Sequence, residues 1–350
     1  MSTAPAFRVG IIGTGWVAQD RHIPSYRSLP GVEVVGVFDW HQDRARAIAG
    51  RFGISLVARD RDELLAAGLD AVSVATSPWS HAEHTRAALG AGVHVFCEKP
   101  MALDLAEATS MAEAATAAGR ILTISHNFDF ARSTQLARAY LGPSPGLLFA
   151  SAVQLSSERR RLPVWYRDLP GGLLFDEVPH LLYTLEAWCG PLRLASASAT
   201  WRPDGHPGVV EAQFTGDTPA RATMVFGAPL SEWHVTLVGE RRIVDLDLFR
   251  DIAVRVGPDG AHRAGNIART SAKVMLDHGI GFAGSGVAML RGRLRWGHDT
   301  LIAAFVDASL GRRDNPVPLS EALAVAAMTD DLIAAIGARE KASAQRMSGA

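Results

Sequence analysis

The chain has 350 residues, 48% of them hydrophobic and 20% charged, with a formal net charge of -1. That length exceeds what one core usually holds, which predicts two domains, and the near-neutral charge gives no electrostatic case for nucleic acid or an anionic membrane. The start, Met1-Ser2-Thr3-Ala4-Pro5-Ala6, lacks the basic region and apolar core of an export signal, and no uninterrupted apolar run could span a bilayer, so a soluble cytoplasmic protein is expected.

The first predicted element is the β-rich run Arg8-Val9-Gly10-Ile11-Ile12. Gly13-Thr14-Gly15-Trp16-Val17-Ala18 follows at once as a G-x-G-x-x-A turn between a strand and a helix. In such a turn Gly13 permits the tight bend, Gly15 lets backbone approach a pyrophosphate, and small Ala18 lets the helix pack close with its N-terminal N–H groups facing the anion. A tight turn with no ligand gives the same pattern. A second run, 32–38, ends in Asp39 at about the distance expected of a ribose-binding acid. The pair together points to a dinucleotide. A carboxylate there accepts a ribose 2'-hydroxyl and repels a 2'-phosphate, which favours NAD over NADP. Trp40 could cover the adenine, while His41 and Arg44 could tolerate a phosphate, and Asp39 could instead cap a helix over 42–52.

Helix and strand then alternate. Helices are predicted over 61–67, 81–89 and 105–118, and strands over 71–75, up to Cys97, and over 121–125, the pattern of a doubly wound parallel sheet. Thr76, Ser77 and Trp79 follow the 71–75 strand and should line the cofactor pocket. His81 and His84 are three apart on one helix face, but no third ligand has a supporting spacing, so no metal is expected. Cys97 and Cys189 lack C-x-x-C spacing and indicate neither a disulfide framework nor zinc.

Cys97-Glu98-Lys99-Pro100 closes the apolar run His94-Val95-Phe96. Proline ends the strand, so Lys99 is held at its carboxyl end, the edge where open parallel sheets bind ligands. Alone, Lys99 reads more readily as a solvated strand-end cation or an ion-pair partner of Glu98, the commoner fate of an isolated Glu-Lys, than as a catalytic group.

From Ser133 the pattern changes. A helix over 133–141 and the stretch Gly142-Pro143-Ser144-Pro145-Gly146 lead into β-like runs near 147–156, 193–201, 209–215, 220–226, 233–239 and 242–248. These suggest one large, mainly antiparallel sheet, followed by helices over 299–309 and 320–336. Between the first two runs, Arg159-Arg160-Arg161 reads as a solvated or subunit-contact surface, and Trp165 and Tyr166 could offer a face to a sugar ring. In Gly171-Gly172-Leu173-Leu174-Phe175-Asp176-Glu177-Val178-Pro179-His180, Asp176 and His180 are four apart, so on a helix a carboxylate could orient an imidazole. The plainer reading has Asp176 as a cap and His180 packed. Pro179 requires the helix to start within the preceding turn or to kink.

Gly-Thr-Gly after the first strand, Asp39 after the second, Ala75-Thr76-Ser77-Pro78 to His81, and Ala91-Gly92-Val93-His94 through Pro100 together resemble the glucose-fructose oxidoreductase, inositol dehydrogenase and MocA family. The resemblance implies an NAD(P)-binding Rossmann domain over 1–126 and a substrate-binding, oligomerisation domain over 127–350 built on a large open sheet. It implies that Lys99 lies between nicotinamide and substrate, with its proline commonly cis. The family's G-G…D-x-G-x-H element matches at Gly171, Gly172, Asp176 and His180, and its histidine is the usual acid/base. Val178 replaces the common glycine, and Tyr183 stands where an acid often follows the histidine. Asn127-Phe128-Asp129-Phe130 resembles the N-Y-R-F hinge, with Asp129 where arginine is common, which argues against an anionic substrate.

The expected cofactor contacts are then Gly13, Thr14, Gly15, Trp16, Val17, Asp39 and Trp40, with Thr76, Ser77, Trp79, His81, Glu98, Lys99 and Asn127. The expected substrate contacts are Lys99, Asp129, Trp165, Tyr166, Asp176 and His180. Lys99, His180 and Asp176 form the catalytic set of an NAD-dependent dehydrogenase for a sugar, amino sugar or cyclitol, self-associating as a dimer or tetramer through the second sheet. A non-catalytic cofactor-binding sensor, and a lyase or glycosidase with tightly held NAD, are the alternatives.

Overall fold

The computed structural model describes residues 6–142, 146–159, 164–258, 263–292 and 294–338, so Pro143, Ser144 and Pro145 of the expected turn-rich stretch lie outside the described residues. The chain divides into two units. One runs to Asn127 and includes Gly297–Ala327; the other takes Phe128–Trp296 and the residues from Met328.

In the first unit, β1 (Phe7–Ile12), α1 (Ile23–Arg27), β2 (Val32–Phe38), α2 (Gln42–Phe52), β3 (Leu56–Val57), α3 (Arg61–Leu65), β4 (Ala71–Val74), α4 (His81–Gly90), β5 (His94–Cys97), α5 (Leu105–Ala118) and β6 (Leu122–Ile124) alternate along the chain. The strands pair in parallel in the order β3-β2-β1-β4-β5-β6. Val9, Ile11, Ile12, Val72, Val74, Val95 and Phe96 are fully buried, the continuous apolar character of strands covered on both faces. The order reverses between β1 and β4, so the switch point, where an open sheet leaves a crevice, lies at Gly13 and Ala75. α1 ends a longer helix over 16–27 whose middle, Ala18–His22, is π-wound. Pro24 offers no N–H to the Asp20 carbonyl, and the wider turn sits where that bond is missing.

The second unit holds α6 (Arg132–Leu141), β7 (Leu147–Ser156), α7 (Leu173–Cys189), β8 (Arg193–Trp201), β9 (Pro207–Thr215), β10 (Ala220–Phe226), β11 (Glu232–Gly239), β12 (Ile243–Asp247), β13 (Ile252–Val256) and α8 (Ala264–Leu290). Its sheet runs β13-β12-β11-β7-β10-β9-β8, antiparallel at every pairing except β7 with β10. Ala152, Val210, Ala212, Met224, Val235 and Leu246 point into the core while Glu211, Gln213 and Arg221 alternate outward, as one-sided burial requires. α7 packs on β7 and β10, and α6 on β12 and β13. β13 and α8 were not anticipated.

α9 (His298–Ser309) returns to the first unit, where Phe305 meets Phe96 at 5.6 Å. Asn315 then donates to Leu122 O at 2.7 Å and accepts from Thr123 Oγ1 at 2.7 Å. The continuous second domain expected over 127–350 is therefore interrupted: Gly297–Ala327 completes the first unit because α9 and Asn315 cover the β5–β6 edge. α10 (Leu319–Ala335) carries the chain back across the boundary. Among the described residues no helix is long and apolar enough to cross a membrane.

Candidate functional site

The glycine turn follows β1. Gly13 has φ +88°, and a Cβ on it would stand 2.6 Å from Ala75 O and 2.8 Å from Thr76 N, so only glycine lets β1 and β4 converge here. Gly15 differs: a Cβ there would find nothing nearer than Ala75 O at 4.0 Å. Packing does not demand that glycine, whereas a ligand backbone approaching the helix N-terminus beside it would. Ala18 is buried, as close helix packing requires, and exposed Trp16 lies under the Arg21 guanidinium at 4.7 Å. Val17, between them, is half-buried.

Asp39 ties the second strand to this turn. It accepts the Thr14 N–H at 2.7 Å, the Thr14 hydroxyl at 2.8 Å and the His41 N–H at 2.8 Å, and Arg44 forms a fork on both oxygens. Burial alone would raise the carboxyl; these donors outweigh it and hold Asp39 below the usual carboxylate range. Arg44, read from sequence as a neighbour, thus covers the acid expected at the ribose. Trp40 is exposed, with its edge toward Phe38 at 5.6 Å.

After β4, the Ser80 hydroxyl reaches Thr76 Oγ1 at 2.9 Å, Ser77 is half-buried, and Trp79 is exposed. His81, expected at the cofactor, is given to the backbone instead. It is fully buried, with Nδ1 2.8 Å from Pro100 O and Nε2 3.2 Å from Thr76 O, and burial keeps its pKa below the ordinary value. It joins the β4 loop to the turn that carries Lys99. His84, buried against Phe38, has no hydrogen-bond partner at either ring nitrogen among the described residues.

At the end of β5, Glu98 N–H donates to Val74 O at 2.9 Å, and the Lys99–Pro100 bond is cis. Lys99 is half-buried, and Asn127, beyond β6, is buried. The Glu98 carboxylate points inward. Its Oε1 stands 2.8 Å from His22 Nε2 and 3.7 Å from His298 Nε2, and its Oε2 accepts the Lys99 N–H at 3.2 Å. Burial would raise Glu98, but the two imidazoles hold it well below the carboxylate range, while burial keeps His22 neutral. An ionised carboxylate only accepts, so His22 carries its proton on Nε2 and its Nδ1 takes the Ser73 hydroxyl at 2.8 Å. His22, Glu98 and His298 each bring a ligand-type atom within 4.8 Å of the others, a set that a metal ion could enter only by displacing the proton between His22 and Glu98. Glu98, expected at the cofactor, anchors the lysine's backbone from beneath. Cys97 is buried and its thiol is pushed up by burial, away from nucleophilic use.

In the second unit, α7 presents the other half of the expected chemistry. Gly171 and Gly172 have φ +73° and +61°, and a Cβ on Gly172 would collide with the His206 ring at 2.5 Å. α7 starts at Leu173, so Pro179 is interior to it and supplies no N–H for the Phe175 carbonyl. Half-buried Asp176 and buried His180 share one face. The His180 ring is enclosed by Phe128 at 5.1 Å, Trp233 at 5.0 Å and Tyr183 at 5.6 Å. Its Nδ1 stands 2.8 Å from the Tyr183 hydroxyl, which also accepts the Phe128 N–H at 3.2 Å. Tyr183, a departure from the family pattern, is thus a direct partner of the histidine. Val178, the other departure, is fully buried in the helix. Glu177 is buried too, and its carboxylate accepts from Gln154 Nε2 and from the Ser156 hydroxyl of β7.

Asp129 is half-buried, and Gln135 Nε2 donates to its carbonyl at 3.0 Å. Trp165 is half-buried, but Tyr166 is buried beneath Arg167 at 5.9 Å, so the pair does not present two open rings to a sugar. Arg160 and Arg161 of the expected basic surface lie outside the described residues. Sequence reasoning passed over His22, His298 and Trp233, and met Tyr183 only as a departure from the family pattern. Of these, Tyr183 alone carried a local signal, standing three residues after His180 on one helix.

Residues 7–126 match the family described as an oxidoreductase family with an NAD-binding Rossmann fold. Inositol 2-dehydrogenase 3 of Saccharopolyspora erythraea is 41% identical over 115 residues, 33% of this chain and 34% of that protein. D-glucoside 3-dehydrogenase of Escherichia coli is 36% identical over 188 residues, 51% of this chain and 53% of that protein. The chain thus matches between a third and about half of these relatives' length. The crystal structure of GenD2 from gentamicin A biosynthesis, solved with NAD, superposes with a TM-score of 0.76 over 96% of each chain at 20% identity, a likeness of fold.

Proposed function

We propose, from the match of residues 7–126 to an oxidoreductase family with an NAD-binding Rossmann fold, that the chain is an NAD-dependent dehydrogenase of the glucose-fructose oxidoreductase, inositol dehydrogenase and MocA family, acting on a secondary hydroxyl of a sugar, amino sugar or cyclitol. The observation that carries this reading is the pair of prepared groups: Lys99, anchored through Glu98 at the end of a parallel strand, and His180, held by Tyr183 within an aromatic enclosure. The names of the relatives, an inositol and a glucoside dehydrogenase, support the substrate class.

Gly13, Thr14, Gly15 and the helix N-terminus would hold the pyrophosphate, Asp39 the adenosine ribose, and Thr76, Ser77 and Trp79 the space after β4. Bound NAD+ supplies the acceptor for the hydride leaving the carbinol carbon. His180 takes the hydroxyl proton on Nε2, with its Nδ1–H donated to Tyr183. Lys99 donates to the same oxygen and stabilises its developing charge, and Asp176 helps orient the imidazole. The carbonyl forms as the C–H and O–H bonds break, and the reverse sequence reduces the ketone. Asp129 favours a neutral or amino-bearing substrate over an anionic one. Self-association through the seven-stranded sheet belongs to the same reading.

A screen of sugars, amino sugars and cyclitols with NAD and NADP side by side tests it through the absorbance of the reduced nicotinamide. Lys99→Met and His180→Asn should each lower kcat by at least about a hundredfold while NAD still binds. Cofactor binding without turnover would favour a sensor, and substrate consumption without net NADH would favour an oxidation-elimination-reduction cycle.

A further inference from the structure

α8 is amphipathic in the wrong sense for a helix that ends at water. Its inward stripe, at residues 277, 281 and 285, is polar and small. Asp277 accepts the Arg255 guanidinium at 3.0 Å, Gly281 lies where a Cβ would stand 2.7 Å from Ile252, and the Ser285 hydroxyl donates to Asp251 O at 3.1 Å. Its outward face carries Met275, Leu276, Ile280, Phe282, Met289 and Leu290, of which Phe282 is 64% and Leu290 89% exposed. Gly279 and Gly286, two turns apart, lie at the centre of that face, and a Cβ on either would meet nothing within 4 Å.

We infer that the outward face of α8 is a contact surface for a second copy of this chain. The exposed residues leave on the order of 800 Å² of mainly apolar surface, against roughly 800 Å² per partner in a standard interface and a few hundred for the patches of ordinary monomers. A twofold contact sets the same patch against itself, so it must be free of like charge. Residues 279–290 contain no charged side chain. Glycines at the centre let two helices approach closely while Phe282 and Met289 on one flank and Ile280 on the other interdigitate. A membrane-surface helix would instead turn a Lys/Arg-rich face to the headgroups, and here the polar stripe is turned inward on Asp277 and Ser285. The inference goes beyond the dehydrogenase reading and depends on neither activity nor substrate.

Sedimentation equilibrium of the full chain tests it. The wild type should be an even-numbered oligomer, and Phe282→Arg should halve its mass, from tetramer to dimer or from dimer to monomer, with the circular dichroism spectrum unchanged. Leu290→Asp, at a more exposed position, should do the same and serves if Phe282→Arg misfolds. A monomeric wild type, an assembly of unchanged mass in the folded variants, or binding to anionic vesicles in place of self-association would overturn the inference. Absence of NADH production in the screen above, with the oligomer still halved by the variants, would overturn only the dehydrogenase reading.

Discussion

The Tyr183 hydroxyl stands 2.8 Å from Nδ1 of His180 and accepts the main-chain N–H of Phe128 at 3.2 Å. A histidine that takes a proton on Nε2 must keep one on Nδ1, and the phenol oxygen is where that proton points. The contact sets the tautomer and helps hold the ring, so at Nδ1 the imidazolium formed in the proposed reaction is steadied by a neutral acceptor.

Tyr183→Phe should therefore lower kcat by about tenfold or more and leave the affinity for NAD unchanged. It also leaves the Phe128 N–H without its acceptor, at a cost of about 1–3 kcal/mol of stability. Steady-state kinetics and a thermal melt check both. An unchanged kcat would show that this hydroxyl does not orient the base.

Burial pushes His126 down to about 3, and its folded pKa therefore lies below the ordinary histidine value. The unfolded chain binds a proton near pH 6.5 that the folded chain refuses, so the stabilisation is present above that pH and is lost as pH falls toward the folded value. From His126 alone the loss between about pH 7 and pH 5 should be about 2 kcal/mol. Urea melts across that range should give a shallower dependence of stability on pH for His126→Gln than for the wild type. Parallel slopes would mean that the histidine titrates normally.

Much of the first unit was legible because each of its strands is a short apolar run closed by a punctuating residue: Gly13 after β1, Asp39 after β2, Pro100 after β5. The seven-stranded sheet was legible through its alternation, apart from β13. α8 was not, because Gly279, Gly281, Gly284 and Gly286 and an outward apolar face remove the usual helical signature. The cluster around Glu98 could not be read either: His22 and His298 come from a helix near the start and another near the end of the chain, and only folding brings them together. The same long-range closure placed Gly297–Ala327 in the first unit.

Asp39 and Arg44 set a further expectation. The guanidinium shares the carboxylate that would meet a ribose 2'-hydroxyl. Asp39→Asn removes the charge that repels a 2'-phosphate and releases Arg44 to pair with one, so the ratio of kcat/KM for NADP to that for NAD should rise by about tenfold or more. Arg44→Ala should move the ratio the other way. A ratio unmoved by both variants would place cofactor discrimination elsewhere.

Gly13 and Gly15 separate the demands of the fold from those of a ligand. Alanine at Gly13 would be forced into a left-handed conformation at φ +88° and against Ala75 O at 2.6 Å. Gly13→Ala should therefore destabilise the chain, by about 1–3 kcal/mol. At Gly15 the nearest atom to an added Cβ is 4.0 Å away, so Gly15→Ala should leave the melting temperature close to that of the wild type. If the open side of Gly15 is where a pyrophosphate approaches, the same methyl group should weaken NAD binding by about tenfold or more. Calorimetric titration with NAD and a thermal melt on both variants provide the comparison. A Gly15→Ala chain that keeps full NAD affinity would show that the turn is a structural bend and that the dinucleotide does not contact it there.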